Sequence, residues 1–277
     1  MVGQWFDLER SGLKNVMWRG GHLLALGLMV FAVGLAGCVG KPPALETWLH
    51  TDGVTSDPLQ SRVVAAHGVQ LMAVRIGTGP VTRIYIEGDG LAYITKNTPS
   101  GDPTPRNPVG LKLAMAGGDG GLYLARPCQW VRGDYCTNKA PWTSGRFTAG
   151  VVDVYREIVA RESQGRPVEL IGYSGGAWIA LQVAARLENV TRVVTVAGNL
   201  MPEWVNAQHK VSGMDVAEYP EGRLRNLPVV AYVGRQDKVV GYGVVAAYAM
   251  ATDAQNVRII EVEASHSQGW DMLKIGD

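Results

Sequence analysis

Charge is scarce in this 277-residue chain: 18% of the residues are charged, with 26 Lys and Arg against 25 Asp and Glu. A formal charge of +1, with no long run of either sign, argues against the basic patch that binding to a phosphate backbone usually needs, so no nucleic-acid partner is expected. Cysteine is nearly as rare, at three residues, and none has the CxxC partner of a structural zinc site. HExxH, Walker A and GxGxxG are all missing. The run Gly117-Gly118-Asp119-Gly120-Gly121 has the wrong spacing and precedes a strand. A heptad seam, an internal repeat and a low-complexity tract are missing too. What remains is a chain 47% hydrophobic with 35 Gly and 14 Pro. That composition buries a sizeable core, which excludes disordered and collagenous classes, and the length suits one large domain or two small ones.

The apolar stretch at 22–36, behind Arg10, Lys14 and Arg19, is about 15 residues long and falls short of the ~20 that a spanning helix needs. It ends in Leu35-Ala36-Gly37-Cys38. A basic flank, an apolar stretch and small residues read as a secretory signal. Leu-Ala-Gly-Cys at its end resembles a bacterial lipobox, which implies a signal peptide over 1–37, lipid on Cys38 and cleavage before it. The alternative is an uncleaved signal anchor. Losing 1–37 leaves 23 residues of each sign. Acyl chains on Cys38 would hold the protein on a bilayer. Val39 differs from the aspartate that resembles an inner-membrane retention signal, so the expected place is the outer membrane, facing the periplasm. Residues 38–60, with Lys41-Pro42-Pro43, read as a lipidated tether, and 61–277 as one domain. In an oxidising envelope Cys128 and Cys136 are expected to pair, the alternative being two free thiols.

Within 61–277, apolar strand-like runs alternate with helix-like stretches between Gly and Pro signals. Strands are expected at 62–66, 69–76, 81–87, 121–125, 167–172, 191–196, 228–233 and 257–262, and helices at 107–115, 144–161, 175–187, 202–208 and 242–252. In the second helix Phe147, Val151, Val154, Tyr155 and Ile158 form one apolar stripe. Val168-Glu169-Leu170-Ile171 and Val193-Val194-Thr195-Val196 are largely apolar on both faces, as buried parallel strands require. The class is therefore α/β, with the first two strands an antiparallel start.

Gly172-Tyr173-Ser174-Gly175-Gly176 lies between an expected strand and an expected helix, the context of a nucleophile elbow. A sharp turn there forces Ser174 into a strained backbone, so Gly172 and Gly176 must lack side chains. Serine needs a base oriented by a carboxylate. Of the histidines beyond the leader, His50 and His67 are poorly placed, whereas His266 follows the last strand. Asp237 follows the penultimate strand; by itself it could also cap the next helix.

The order Ser174, Asp237, His266, spaced by 63 and 29 residues, resembles the α/β-hydrolase superfamily over about 61–277. The resemblance implies an eight-stranded, mostly parallel sheet with helices on both faces, a small cap or none, and no cofactor. It implies an oxyanion hole from the amides of Gly175 and Asp89, although Glu87 stands where the family has histidine. The Asp89 carboxylate reads as a turn stabiliser, or as facing outward or meeting a cationic substrate group. In the segment 198–227, Trp204 and His209, with Tyr173 from the elbow, are candidate pocket residues. The expected activity is hydrolysis of a small-molecule or lipid-derived ester. The alternatives are acyl transfer, thioester or peptide cleavage by the same residues, or a silent envelope binding protein on this fold. Ser11-Gly12-Leu13-Lys14 matches the SxxK of penicillin-binding enzymes but lies in the leader.

Overall fold

Side-chain alternation along the central strands sorts the apolar residues into two sets, and each set needs its own cover of helices. In a computed structural model the described residues are 43–50, 56–210, 213–220, 222–271 and 273–275. The expected leader, Cys38 and the expected tether's residues 39–42 and 51–55 lie outside them. In chain order the elements are helix α1 (Leu45–Leu49), strands β1 (Leu59–Ala66), β2 (Val69–Ile76), β3 (Arg83–Ile86), β4 (Tyr93–Thr95) and β5 (Thr98–Pro99), and helix α2 (Val109–Gly117). There follow β6 (Gly121–Leu124), α3 (Ala149–Ser163), β7 (Val168–Tyr173), α4 (Gly175–Ala184), β8 (Val190–Val196), α5 (Pro202–His209), β9 (Val229–Gly234), α6 (Gly243–Thr252) and β10 (Val257–Val262).

Eight strands make one sheet in the order β1-β2-β6-β3-β7-β8-β9-β10, and β4 pairs with β5 in a separate hairpin. β1 with β2 and β2 with β6 are antiparallel, and the remaining pairs are parallel. The antiparallel start arises where His67 and Gly68, both at positive φ, make the two-residue turn between β1 and β2. Ile84, Ile86, Leu122, Leu124 and Leu170 pack with α3, α4 and α6 on one face. Tyr85, Tyr123, Ile171 and Val194 pack with α2 and Leu45 on the other. This is the layered arrangement expected. All five long helices fall within a few residues of their expected positions.

Three expectations change. Residues 43–50 and 59–60 are not tether: α1 buries Leu45, and β1 begins at Leu59. Helix α3 starts after Thr148 rather than at 144, leaving Phe147 in the preceding loop, still buried and edge-on to Trp178 at 5.2 Å. The β4–β5 hairpin has a short, polar sequence that gave no strand signal. In the stretch 198–227 the described residues carry only α5 and a turn of 3-10 helix at Arg223–Arg225, a small flap rather than a cap domain. Among the described residues no helix is long and apolar enough to cross a membrane. Because β3, β7, β9 and β10 run parallel, the segments that follow them emerge at one edge of the sheet, the position where open α/β sheets bind ligands.

Candidate active site

Ser174 ends β7 and precedes α4 with φ 47° and ψ −121°, a conformation few side chains adopt. Three backbone bonds hold it. Its amide donates to the Val196 carbonyl at 3.0 Å, and its carbonyl accepts from Ala177 at 3.0 Å and Asn199 at 2.9 Å. The flanking glycines answer to close packing. A Cβ on Gly172 would fall 2.3 Å from Ala177 Cα, and one on Gly176 would fall 2.3 Å from the Ile86 carbonyl oxygen. The turn thus fits only with both side chains absent.

The hydroxyl meets its expected partners. Ser174 Oγ lies 3.0 Å from His266 Nε2, and His266 Nδ1 lies 2.9 Å from Asp237 Oδ2. Asp237 Oδ1 accepts from the amides of Val239 at 2.8 Å and Val240 at 2.9 Å. Burial by itself would raise the Asp237 pKa, but the hydrogen bond and charge of His266, with the two amides, outweigh it and hold the carboxyl below its ordinary value. Asp237 is therefore an anion aimed at His266, not merely a helix cap. The His266 loop is fixed from the opposite side: Tyr173 Oη donates to the His266 carbonyl at 2.9 Å, and Trp270 Nε1 donates to the carbonyls of Ser265 and His266 at 2.9 and 3.1 Å. Burial raises the Tyr173 pKa, so this donor keeps its proton.

Across from Ser174 the chain leaves β3 as Glu87-Gly88-Asp89-Gly90. Glu87 is fully buried, and Oε1 accepts from the amides of Gly88 and Gly110 while Oε2 accepts from Leu111 and from Tyr123 Oη, at 3.0 to 3.3 Å. It ties this loop to the N-terminus of α2. Burial pushes its pKa up to about 7, against the pull of those four donors. With the Gly88 amide committed to Glu87, the next amide along is that of Asp89. Among the described residues neither the Asp89 nor the Gly175 amide has a hydrogen-bond acceptor in the protein.

The Asp89 carboxylate neither faces outward nor stabilises a local turn. Its Oδ1 accepts from Arg126 Nη1 and its Oδ2 from Arg146 Nε, both at 2.8 Å. Arg126 is 4% exposed and lies two residues beyond the buried strand β6, the one sequence signal that could have marked it. Gln129 reaches across to the same loop, donating from Nε2 to the Gly88 carbonyl at 3.0 Å and accepting the Arg126 amide at 3.0 Å. The Cys128–Cys136 disulfide closes the segment that carries it, with Cα atoms 5.8 Å apart.

Two clefts, about 470 and 540 Å³, open beside Ser174 and share Asp89, Tyr93, Arg146 and Val239 as walls. Tyr173 and His266 line the first, and His209, Val205 and Asn199 line the second. His209 is thus beside the cleft, its Nε2 within 2.8 Å of the Val239 carbonyl. Trp204 is not on either wall: its ring packs against Gly243 at the start of α6. Its position on α5 turns it toward the neighbouring helix, which sequence periodicity over so short a helix does not reveal. Among the described residues no cluster of three or more His, Cys, Asp or Glu is suited to hold a metal.

No family model matches the sequence, and no curated protein matches it. Solved structures do match. An esterase of Pyrococcus furiosus superposes with a TM-score of 0.53 over 82% of this chain and 91% of its own, at 14% identity. The naproxen esterase (carboxylesterase NP) of Bacillus subtilis gives 0.51 over 82% and 92%, at 10% identity. Mouse alpha/beta hydrolase domain-containing protein 10 gives 0.50 over 76% and 93%, at 14% identity. Identities this low speak to architecture alone, and together with the strand order and the elbow they establish that this chain has the α/β-hydrolase fold.

Proposed function

We propose that the protein is a serine hydrolase that cleaves carboxylic esters through an acyl-enzyme. The observation that carries this reading is the unbroken chain from Ser174 Oγ through His266 to a buried, ionised Asp237. Ser174 attacks the ester carbonyl carbon while His266 Nε2 takes the hydroxyl proton. Charge developing on the carbonyl oxygen is met by the Gly175 and Asp89 amides, which have no other acceptor among the described residues. As the tetrahedral intermediate collapses, the C–O bond to the alcohol breaks and His266 returns the proton to the leaving oxygen. Water, deprotonated by the same imidazole, then attacks the acyl-enzyme and releases the acid and free Ser174. Asp237 holds the ring in the tautomer with its proton on Nδ1.

The test is to treat wild type and Ser174→Ala with a fluorophosphonate probe and with a short-to-long series of acyl esters. Labelling should vanish in the variant, and turnover should fall by about 10³-fold or more. A folded variant retaining wild-type turnover would exclude Ser174 as the nucleophile.

The same proposal places the enzyme on the bacterial outer membrane, facing the periplasm, through lipid on Cys38. The leader and lipobox support this, as does a disulfide of the kind that persists in an oxidising compartment. Cys38→Ser should shift the protein from the membrane to the soluble fraction of lysed cells; unchanged membrane retention would count against a lipid anchor.

A further inference from the structure

Building on the ester-hydrolase reading, we propose that Arg146 forms an anion subsite beside Ser174, so that the preferred ester carries a carboxylate or a phosphate on its acyl or its alcohol part. Both clefts that open at Ser174 have Arg146 in their walls, so a group in either reaches the same guanidinium. Arg146 spends Nε on Asp89 Oδ2 and Nη1 on the Thr143 carbonyl at 2.6 Å, and among the described residues Nη2 has no acceptor. Its plane is set by rings, with the guanidinium carbon 5.0 Å from the centre of Phe147 and 5.9 Å from that of Tyr93. A fixed guanidinium with its Nη2 amino group open is suited to an oxyanion, to which charge-assisted bonds are short and strong.

The local charge points the same way. Two guanidinium groups share the single carboxylate of Asp89, so the trio keeps an excess positive charge. That carboxylate lies against the elbow: a Cβ on Gly175 would fall 2.1 Å from Asp89 Oδ1. Arg126, 4% exposed, lines neither cleft, which leaves Arg146, 9% exposed and in the wall of both, as the face the trio presents to them. The acidic walls do not offset this: Glu87 is fully buried under four donors, and Asp89 has both oxygens occupied. Exposed Lys96 adds a second cation to the wall of the larger cleft. Keeping an excess cation out of bulk water beside a nucleophile is unfavourable unless an anion meets it.

The experiment compares matched esters at low ionic strength. On the acyl side, 4-nitrophenyl pentanoate is set against the 4-nitrophenyl monoester of glutarate. On the alcohol side, phenyl butyrate is set against 4-carboxyphenyl and 4-phosphonophenyl butyrate. The expected result is a kcat/KM at least roughly tenfold higher for an anionic ester than for its neutral partner. The better of the carboxylate and phosphonate substrates identifies the anion. Raising the salt should shrink the ratio. Arg146→Gln should remove most of the preference whatever its effect on absolute rates, with Arg146→Lys between. Lys96→Gln, an exposed change safe for folding, should lower it less.

A wild-type ratio of one or below for every pair overturns the inference, as does a preference that persists unchanged in a folded Arg146→Gln protein. Failure of the two readings is separable. Fluorophosphonate labelling of Ser174 with no anion preference removes the subsite and leaves the ester hydrolase standing, whereas no labelling and no turnover on any ester removes both.

Discussion

Glu87 owes its role to burial and to the donors that the fold gathers around it. It stands where the resembled family has histidine, yet it acts as an acceptor that gathers three amides and a phenol around the loop facing Ser174. Its pKa, pushed up to about 7 by burial, makes that work dependent on pH. An unfolded glutamate ionises near its ordinary value of 4.5, so between that pH and about 7 the folded protein holds a proton that the unfolded chain has released. Stability therefore falls as pH rises through this window and levels off above it, by on the order of 3 kcal/mol. Denaturant melts of wild type and Glu87→Gln between pH 4 and 8 should show this slope in the wild type only. The variant is expected to be less stable at every pH, because the amide nitrogen that replaces one oxygen cannot accept from the two donors that oxygen met; parallel pH profiles would show that Glu87 does not titrate there.

At the scale of elements, the strained elbow depends on neighbours distant in sequence. Strand β8 supplies the Val196 carbonyl to the Ser174 amide, and the loop after it supplies the Asn199 amide. The loop that faces the elbow relies in turn on the segment closed by Cys128 and Cys136, because Gln129 within it holds the Gly88 carbonyl. A bridge across a separation of 8 residues contributes about 2–3 kcal/mol by restricting the unfolded chain. Replacing both cysteines by serine should cost that much in a thermal or denaturant melt. It should also lower kcat more than it raises KM, since what loosens is the loop expected to face the transition state rather than the cleft walls. An unchanged kcat in the folded variant would mean that Gln129 holds the loop without help from the bridge.

Across the whole molecule, the sheet order and the two helical layers decide where the folded unit begins. Helix α1 is five residues long, too short to persist by itself, and it is held by packing Leu45 into the core beneath α2 and the sheet. Leu45→Ala should therefore destabilise the protein by about 2–4 kcal/mol, as emptying a buried leucine site does. A change below 0.5 kcal/mol in a denaturant melt would return this stretch to the tether that its prolines suggested. The same layering gathers the segments after β3, β7, β9 and β10 at one edge, so residues 87–90, 174, 237 and 266 become neighbours although they span most of the chain.

Much of this was legible in the sequence because it is carried by near neighbours. Apolar runs between Gly and Pro signals marked the eight strands, a 3.6-residue stripe marked α3, and glycines two positions either side of Ser174 marked the elbow. The order Ser174, Asp237, His266 marked the partners that the fold then placed 3.0 and 2.9 Å apart in series. Tertiary structure alone decided what depends on which loops adjoin. Asp89 takes its arginines from 37 and 57 residues away, Tyr173 braces the His266 loop from 93 residues away, and Trp204 turns to α6 instead of the cleft. Local sequence fixes backbone conformation and burial through sterics and the hydrophobic pattern, whereas an ion pair between loops exists only once the sheet has brought their ends together.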